Sequence, residues 1–373
     1  MTSSDALKKE TIIVTKKTAL NSLHRKYGGK MVDFAGWELP VQYSSALKEH
    51  QAVRETAGVF DVSHMGQVEI KGPDALTYVQ NVTCNDAGRL SDFQAQYSAL
   101  LTPEGTIIDD IVVYRFNSEH FFLCINSATK EKDVAWLESK AFGNIQLENV
   151  SDNYVQIALQ GPKAESILQK IVATDLSTIK FYWFTTEVIA GTEAIISKTG
   201  YTGEDGFEIY LSPDKGEFLW EEIFKAGEPY GILPAGLAAR NTLRLEMKYP
   251  LYGNDITEKT NPLEAGLGWI VKFGTGFIGE NRLQEIKSEG ITRKLVGFEM
   301  IDAGIVRDGY PVICGGEKSA EVTSGGYSPS LNKSIGLAYI PVEYADIGSS
   351  LSIEIRGRRR EAKIVPTPFY KRR

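Results

Sequence analysis

The run Ile107 to Tyr114 limits the possible folds more than any other stretch, because it is apolar on both faces of a strand and still holds two adjacent acids. Ile108, Val112 and Tyr114 alternate with Ile107, Ile111 and Val113, so Asp109 and Asp110 fall on opposite faces. An unpaired ionised carboxylate in such a strand costs on the order of several kcal/mol. At least one aspartate must therefore meet a cation, several donors or a polar cavity, unless the strand end opens to water. Short turns at Pro103 to Gly105 and at Asn117-Ser118 join this run to Tyr97–Leu101 and Phe121–Ile125, which predicts an antiparallel meander.

A second constraint is Lys198 to Tyr210, where a glycine-rich turn runs directly into a strand with a lone acid. Phe207, Ile209 and Leu211 share one face, and Glu208 and Tyr210 the other, so the Glu208 carboxylate is held at a fixed height beside a sharp bend. Ser44 and Ser45 can cap a helix through Leu47, Val53 and Ala57 that stops at Gly58. The strands Val68–Ile70 and Val155–Leu159 each lead through Gly-Pro, at 72–73 and 161–162, into an apolar helical stretch. The echo hints at internal duplication, although common helix-start chemistry also produces it. A later helix from near Gly236 places Arg240 and Arg244 on one face. Glycine-punctuated strands after Gly290 mark a separate β domain, with its boundary near residues 280–292.

A length of 373 residues implies two or three compact, strand-rich domains. No window reaches the ~20 apolar residues of a membrane span, and the start is a polar leader, Met1 to Thr15, unlike a secretory signal or an arginine-rich transit peptide. Cys84, Cys124 and Cys314 form neither a disulfide framework nor a zinc motif, and point to reducing cytosol. The net charge of −7 disfavours nonspecific nucleic-acid binding. Arg356 to Arg360 and Lys371 to Arg373 concentrate positive charge, read as solvated edge charge with a docking patch for an acidic protein as the alternative. His64 in Asp61-Val-Ser-His-Met65 does not make a hydrolase with Ser63, because adjacency cannot supply triad geometry and no Gly-x-Ser-x-Gly elbow is present. Four histidines without HExxH spacing argue against a metal, and no GxGxxG or Walker sequence implies a nucleotide.

These blocks, with Lys30 to Tyr43, Gly236 to Glu246, Thr323 to Ser330 and Thr367 to Tyr370, closely resemble the aminomethyltransferase or T-protein family of the glycine cleavage system. The resemblance implies an α+β fold of three domains in a clover-like ring, mainly antiparallel sheets with flanking helices, and a C-terminal jelly-roll-like β-barrel. The first domain would be 1–55 plus about 145–230. The second, folate-binding and interleaved with it, would be about 56–144 plus 231–280, and the barrel about 281–373. The implied co-substrate is tetrahydrofolate, with no metal, flavin or pyridoxal phosphate. The implied partner is a lipoylated H-protein that donates the aminomethyl group, alongside the other glycine cleavage components. Neither nucleic acid nor membrane is expected, and the chain is expected to be a cytoplasmic monomer.

By the same resemblance Asp110 meets the reactive end of the folate, where a carboxylate stabilises an iminium-like cation or orients the attacking nitrogen. Electrostatics and positioning are favoured over a pure base, because an ordinary aspartate pKa of about 3.9 makes it a weak one. Glu208 can accept both hydrogen bonds of a pterin's amino group and ring N–H, and Arg240 stands beside it. A surface glutamate and a structural ion pair are the plain alternatives. Tyr97, Tyr114, Phe181, Tyr201 and Trp269 offer aromatic walls, Met65 and Asn126 match pocket positions, and Tyr370 and Arg372 match near the C-terminus. Arg244 and Glu246 are assigned to packing and charge balance. Three rival readings remain: a flavin-fused sarcosine-type module, a demethylase acting on a sulfonium compound, and a non-catalytic folate-binding protein. The last carries a Lys-Gly-Cys-Tyr block where this chain reads Lys272-Phe-Gly-Thr.

Overall fold

The computed structural model describes residues 15–372. The expected polar leader lies outside that range except for Thr15, as does Arg373 of the C-terminal basic run. Helix α1 (Asn21–Lys26) leads into a hairpin of β1 (Lys30–Phe34) and β2 (Trp37–Gln42). Helix α2 (Ala46–Glu55) starts as predicted, with Ser45 as N-cap accepting from the Lys48 N–H at 3.2 Å. Its end differs from the sequence expectation. Gly58 is no C-cap but the first residue of β3 (Gly58–Asp61), where a Cβ would stand 2.5 Å from Val53 Cγ2. Glycine there lets the strand pass close against the helix it has just left.

The next segment comprises β4 (Gly66–Lys71), α3 (Ala75–Val82), β5 (Gln94–Leu101), β6 (Ile107–Asn117), β7 (His120–Ile125), α4 (Lys130–Ser139) and β8 (Gln146–Asn149). Its strands form an antiparallel sheet in the order β5-β6-β7-β4-β8, so the predicted meander is present. Then follow β9 (Val155–Gln160), α5 (Ala164–Leu168), β10 (Phe184–Ile189), β11 (Thr192–Ser197), β12 (Gly206–Leu211), α6 (Gly216–Gly227) and β13 (Leu233–Pro234). They form the order β10-β11-β12-β9-β3-β13, in which only β13 runs parallel to its neighbour.

The two Gly-Pro units are alike well beyond their helix starts. Each runs strand, helix, then a three-strand meander whose last strand pairs back onto the first: β7 onto β4, and β12 onto β9. Gly72 and Gly161 take φ of 128° and 129°, and a Cβ at either would run into a backbone carbonyl, Asn144 O at 2.3 Å or Thr56 O at 2.6 Å. Shared connection and shared backbone geometry support duplication.

The two sheets face each other across a layer containing Ala95, Tyr114, Phe122 and Cys124 from one and Phe184, Ile195 and Tyr210 from the other. The opposite face of the β9–β12 sheet buries Phe207, Ile209 and Leu211 against Trp220 and Ile223 of α6, as the alternation around Glu208 requires. In β6 the alternation is interrupted. A bulge opposite Leu100/Leu101 moves Ile108 to the side of Ile111 and Val113, so only Val112 and Tyr114 share the Asp110 face. Helix α7 (Leu237–Glu246) begins after Gly236, and α8 (Glu280–Glu289) precedes the last unit. There β14 (Arg293–Met300), β15 (Pro311–Cys314), β16 (Glu317–Ser328), β17 (Lys333–Pro341), β18 (Ser350–Ile355) and β19 (Arg358–Val365) close into a barrel in the order β14-β17-β16-β15-β18-β19. Among the described residues no helix is long and apolar enough to cross a membrane.

Candidate active site

Asp110 lies on the face of β6 that looks toward the second sheet, and two neighbours fix its carboxylate. Tyr97 on β5 donates its hydroxyl to Oδ2 at 2.8 Å, and Asn126, just beyond β7, donates Nδ2–H to Oδ1 at 2.9 Å. No cation pairs with Asp110 among the described residues. Burial, and then the adjacent Asp109, push its carboxyl up to about 7, against the pull of the Tyr97 and Asn126 hydrogen bonds. The group is thus a fixed acid that titrates near neutrality. Tyr97 in turn stacks on Trp269, with centroids 5.9 Å apart and planes at 25°. Trp269 itself is 61% exposed, an open aromatic face beside the acid.

Glu208 stands on β12, held from both sides. Gln156 on β9 donates Nε2–H to Oε1 at 3.1 Å, and Thr199 donates its hydroxyl to Oε2 at 2.7 Å. The glycine-rich turn sets Thr199 in place. Gln160 donates to Thr199 O at 3.1 Å and accepts from the Thr202 hydroxyl at 2.9 Å. It passes so close that a Cβ on Gly200 would lie 2.0 Å from its Oε1. Gly203 holds φ of 84° where a Cβ would meet Met247 Sδ at 2.4 Å. The close approaches that call for these glycines are made by the Gln160 and Met247 side chains.

Arg240 on α7 rests its guanidinium over the Tyr201 ring, 4.7 Å from the centroid, and has no hydrogen-bonded or ion-paired partner among the described residues. Burial holds its pKa below the usual arginine value, with Tyr201 and Glu208 acting against that. A half-buried guanidinium without a partner is set to receive an acceptor from outside the chain. Tyr182 and Tyr201 link the two halves of the site. Burial first, with Asp110 among the nearby charges, raises both hydroxyls; Tyr182 also senses Glu208, and Tyr201 senses Arg240. Asp110, Glu208 and Arg240 therefore surround one region between the sheets.

The other predicted residues are spread more widely. Met65 is partly buried where the inter-sheet layer meets the α7 packing, and Phe181, 62% exposed, stands perpendicular to Tyr182 at 4.8 Å. Tyr114 is fully buried, and its hydroxyl meets Tyr210 at 3.0 Å and Thr199 at 3.4 Å, so it lies behind Glu208. Tyr370 and Arg372 sit on the outer side of the glycine-rich turn. The Tyr370 ring covers Arg54 at 4.0 Å, and Arg372 forks onto Asp205. Arg54 joins Glu204 and Glu246 at 2.8 Å each, and Arg244 is fully engaged with Asp255 at 2.7 Å, so Glu246 and Arg244 carry structural charge balance. Sequence reasoning missed Gln156, Thr199 and Tyr182. The first two are uncharged residues whose signal is only their position on the strand beside, and in the turn before, the lone acid. Buried His64 is held down at about 4 by burial, then by the Arg240 charge, so it is a neutral imidazole. Among the described residues no group of three or more His, Cys, Asp or Glu could hold a metal ion.

The chain matches the GCVT N-terminal domain over residues 20–275 and the glycine cleavage T-protein C-terminal barrel domain over residues 293–371. It is 50% identical to an aminomethyltransferase of Desulfitobacterium hafniense over 96% of this chain and 98% of that one. A Thermoanaerobacter pseudethanolicus aminomethyltransferase is 49% identical at the same coverage. The solved glycine cleavage system aminomethyltransferase T of Bartonella henselae superposes with a TM-score of 0.90 at 34% identity, over 96% of this chain and 99% of that one. Matches at this identity over both lengths leave one assignment: the chain belongs to the aminomethyltransferase family, the T-proteins of the glycine cleavage system.

Proposed function

We propose that this enzyme takes the aminomethyl group from the lipoyl arm of an H-protein carrier and gives the one-carbon unit to tetrahydrofolate. The products are 5,10-methylenetetrahydrofolate, ammonia and the dihydrolipoyl carrier. The carbon–sulfur bond to the carrier breaks and its sulfur leaves as a thiol; the carbon–nitrogen bond breaks with ammonia; two nitrogens of the folate each form a bond to the carbon.

The observation that carries this reading is the opposition of Asp110 to Glu208 and the unpartnered Arg240 around one region. A pterin offers an amino group and a ring N–H side by side, which the twin oxygens of Glu208 suit. Gln156 and Thr199 keep that carboxylate oriented, and Arg240 is free to meet a carbonyl oxygen. Tyr97, Tyr201, Trp269, Phe181 and Met65 supply flat or apolar walls for the rings, with Tyr114 backing Glu208. Asp110 then faces the transferred carbon, where a carboxylate stabilises developing positive charge. A value near 7 also suits it to accept a proton from an attacking nitrogen. Asn126 and Tyr97 keep it aimed. Tyr370 and Arg372 act at one remove by holding the glycine-rich turn.

The three-domain division read from sequence, action beside the other glycine cleavage components, a cytoplasmic setting and a monomeric state belong to the same proposal. The test is methylenetetrahydrofolate formation from tetrahydrofolate and aminomethylated carrier, for wild type and Asp110→Asn, with folate binding measured in parallel. Loss of turnover with binding retained is expected. Folate binding without wild-type turnover overturns the transfer reaction.

A further inference from the structure

Two glutamines stand at corresponding places in the duplicated units. Gln67 on β4 and Gln156 on β9 are each the fifth residue before the glycine of a Gly-Pro pair, at 72 and 161. Gln67 lies opposite Cys124 on β7 and Gln156 opposite Tyr210 on β12, so each is paired to the strand that closes its own meander. Val68 and Ile70 on one strand, and Val155 and Ile157 on the other, pack into the outer cores, which turns both glutamines toward the layer between the sheets. There they meet, both buried: Gln67 donates Nε2–H to Gln156 Oε1 at 3.0 Å.

The pair makes a single bond and so is not symmetric. Gln67 Oε1 is buried and has no hydrogen-bond partner among the described residues. A buried carbonyl left unpaired is unfavourable and needs a reason. That reason lies on the Gln156 side. With its oxygen taken by Gln67, and otherwise met only by a weak Cys124 S–H donor at 3.8 Å, Gln156 turns its NH2 to Glu208 Oε1 and Tyr210 Oη, each at 3.1 Å. A second path leads on from Tyr210 through hydroxyls: Tyr114 at 3.0 Å, Thr199 at 3.4 Å, and then Glu208 Oε2, which accepts from Thr199 at 2.7 Å. Both paths start at the Gln156 NH2 and deliver a donor to Glu208. Reversing the Gln156 amide would set its oxygen against a carboxylate oxygen and leave Gln67 donating toward an NH2. We propose that Gln67 is a positioning residue: by donating to Gln156 Oε1 it fixes the direction of that amide, which keeps both Glu208 oxygens as acceptors for the two side-by-side donors of a pterin edge. Gln67 has no exposed surface and acts only through Gln156. The inference rests on reading Glu208 as the carboxylate that holds the folate.

Gln67→Met keeps the length of the side chain and removes the donor. Tetrahydrofolate affinity, read by isothermal titration, should fall about fivefold, within the range for one neutral hydrogen bond. The KM for tetrahydrofolate should rise alike, while kcat and the acid limb of kcat/KM, which report Asp110, stay in place. Combining Gln67→Met with Gln156→Leu should cost no more affinity than Gln156→Leu alone, about tenfold, because the two residues act in series. Losses that multiply to about fiftyfold would show Gln67 acting by another route and overturn the proposal. So would a lower urea midpoint with affinity unchanged, the mark of a purely structural amide. A wild type that fails to bind tetrahydrofolate sinks the folate reading instead, and the amide is then decided in the ligand-free protein. With isotope-labelled glutamine, the side-chain NH2 signals of Gln156 in the NMR spectrum, identified by their loss in Gln156→Leu, should move in Gln67→Met. Unmoved signals overturn the positioning role.

Discussion

Asp61 and Asp110 are both aspartates on strands of the two facing sheets, and the chain treats them in opposite ways. Asp61 on β3 accepts from the Thr18 hydroxyl at 2.6 Å, His24 Nε2 at 2.7 Å, and the Ser63 hydroxyl and N–H at 2.5 and 2.9 Å. Burial works against its charge, but His24 first and then Ser63 and Thr18 outweigh it and hold the group at about 2. Glu246 on α7 is treated alike: burial is outweighed by His50, Ser328 and Arg54, and the carboxyl is again held at about 2. Asp110 has two neutral donors and no cation, with a second acid at its back, and rises to about 7. Acids that tie elements together are over-supplied with donors and charge partners, and the acid that faces the open region is under-supplied. A group short of partners is the one able to respond to a ligand.

Activity gives the strongest test of that contrast. Asp110→Asn should lower turnover by about 10²–10⁴-fold, the range associated with losing a positioned acid–base group. Its effect on stability should be small and of opposite sign. The unfolded carboxyl ionises near its ordinary 3.8 and the folded one near 7, so folding is penalised progressively as pH rises through that window. Asp110→Asn removes the penalty and should stabilise by on the order of 1 kcal/mol above pH 7, seen as a higher urea midpoint with unchanged m-value. Lower stability at that pH would show Asp110 to be a structural acid like Asp61.

The other arm of the contrast is Glu246, whose carboxylate receives Arg54, Ser328 and Ser330 and lies 3.4 Å from His50. Glu246→Gln should destabilise by about 3 kcal/mol at pH 7, as is usual when one partner leaves a buried ion pair. Because its pKa is depressed, its contribution is fully present above the ordinary 4.5 and is lost as pH falls toward 2. The stability gap between wild type and Glu246→Gln should therefore close on acidification, whereas the Asp110→Asn gap opens as pH rises.

A narrower prediction concerns the support of Glu208. Gln156 holds Glu208 Oε1 and Tyr210 Oη at 3.1 Å each, and accepts from Gln67 at 3.0 Å. Gln156→Leu should weaken folate binding about tenfold, the ~1.4 kcal/mol expected from a lost hydrogen bond to a charged group, by isothermal titration. The acid limb should stay put, since Asp110 is untouched. A shift of that limb would mean that the two acids belong to one coupled network.

The strands and their faces were legible because two-residue alternation is written directly in Ile107 to Tyr114 and in Phe207 to Leu211. The bulge at Ile108 was not, since it depends on where β5 turns and on what pairs opposite. The end of α2 was misread because a glycine after a helix is both a good C-cap and a good close-contact residue, and Val53 decides between them. Asp110, Glu208 and Arg240 stood out as charges in apolar or glycine-rich settings. Their uncharged supports, Gln156 and Thr199, come from a different strand and from the turn, so only tertiary structure brings them to Glu208. Asp133 reads as an ordinary first-turn acid of a helix until its full burial is seen.

The smallest expected effect belongs to charges of a third kind, those left in water. Arg358 and Arg359 are exposed and Arg360 half-exposed at the start of β19, where Arg359 lies opposite Glu354 in register. None makes an ion pair with a described residue within 4.0 Å. Like Arg240 they lack a partner, but solvent rather than a protein-lined region surrounds them, so nothing in the fold sharpens their charge into a site. Replacing all three with serine should change stability by less than about 0.5 kcal/mol, as surface substitutions do. Affinity for the lipoyl carrier, read by surface plasmon resonance at two salt concentrations, should stay within about twofold, equivalent to ~0.4 kcal/mol. A tenfold loss that disappears at high salt would instead make this hairpin a docking patch for an acidic partner. The comparison would then need a different dividing line, because an exposed unpartnered charge would also have proved to be waiting for its ligand.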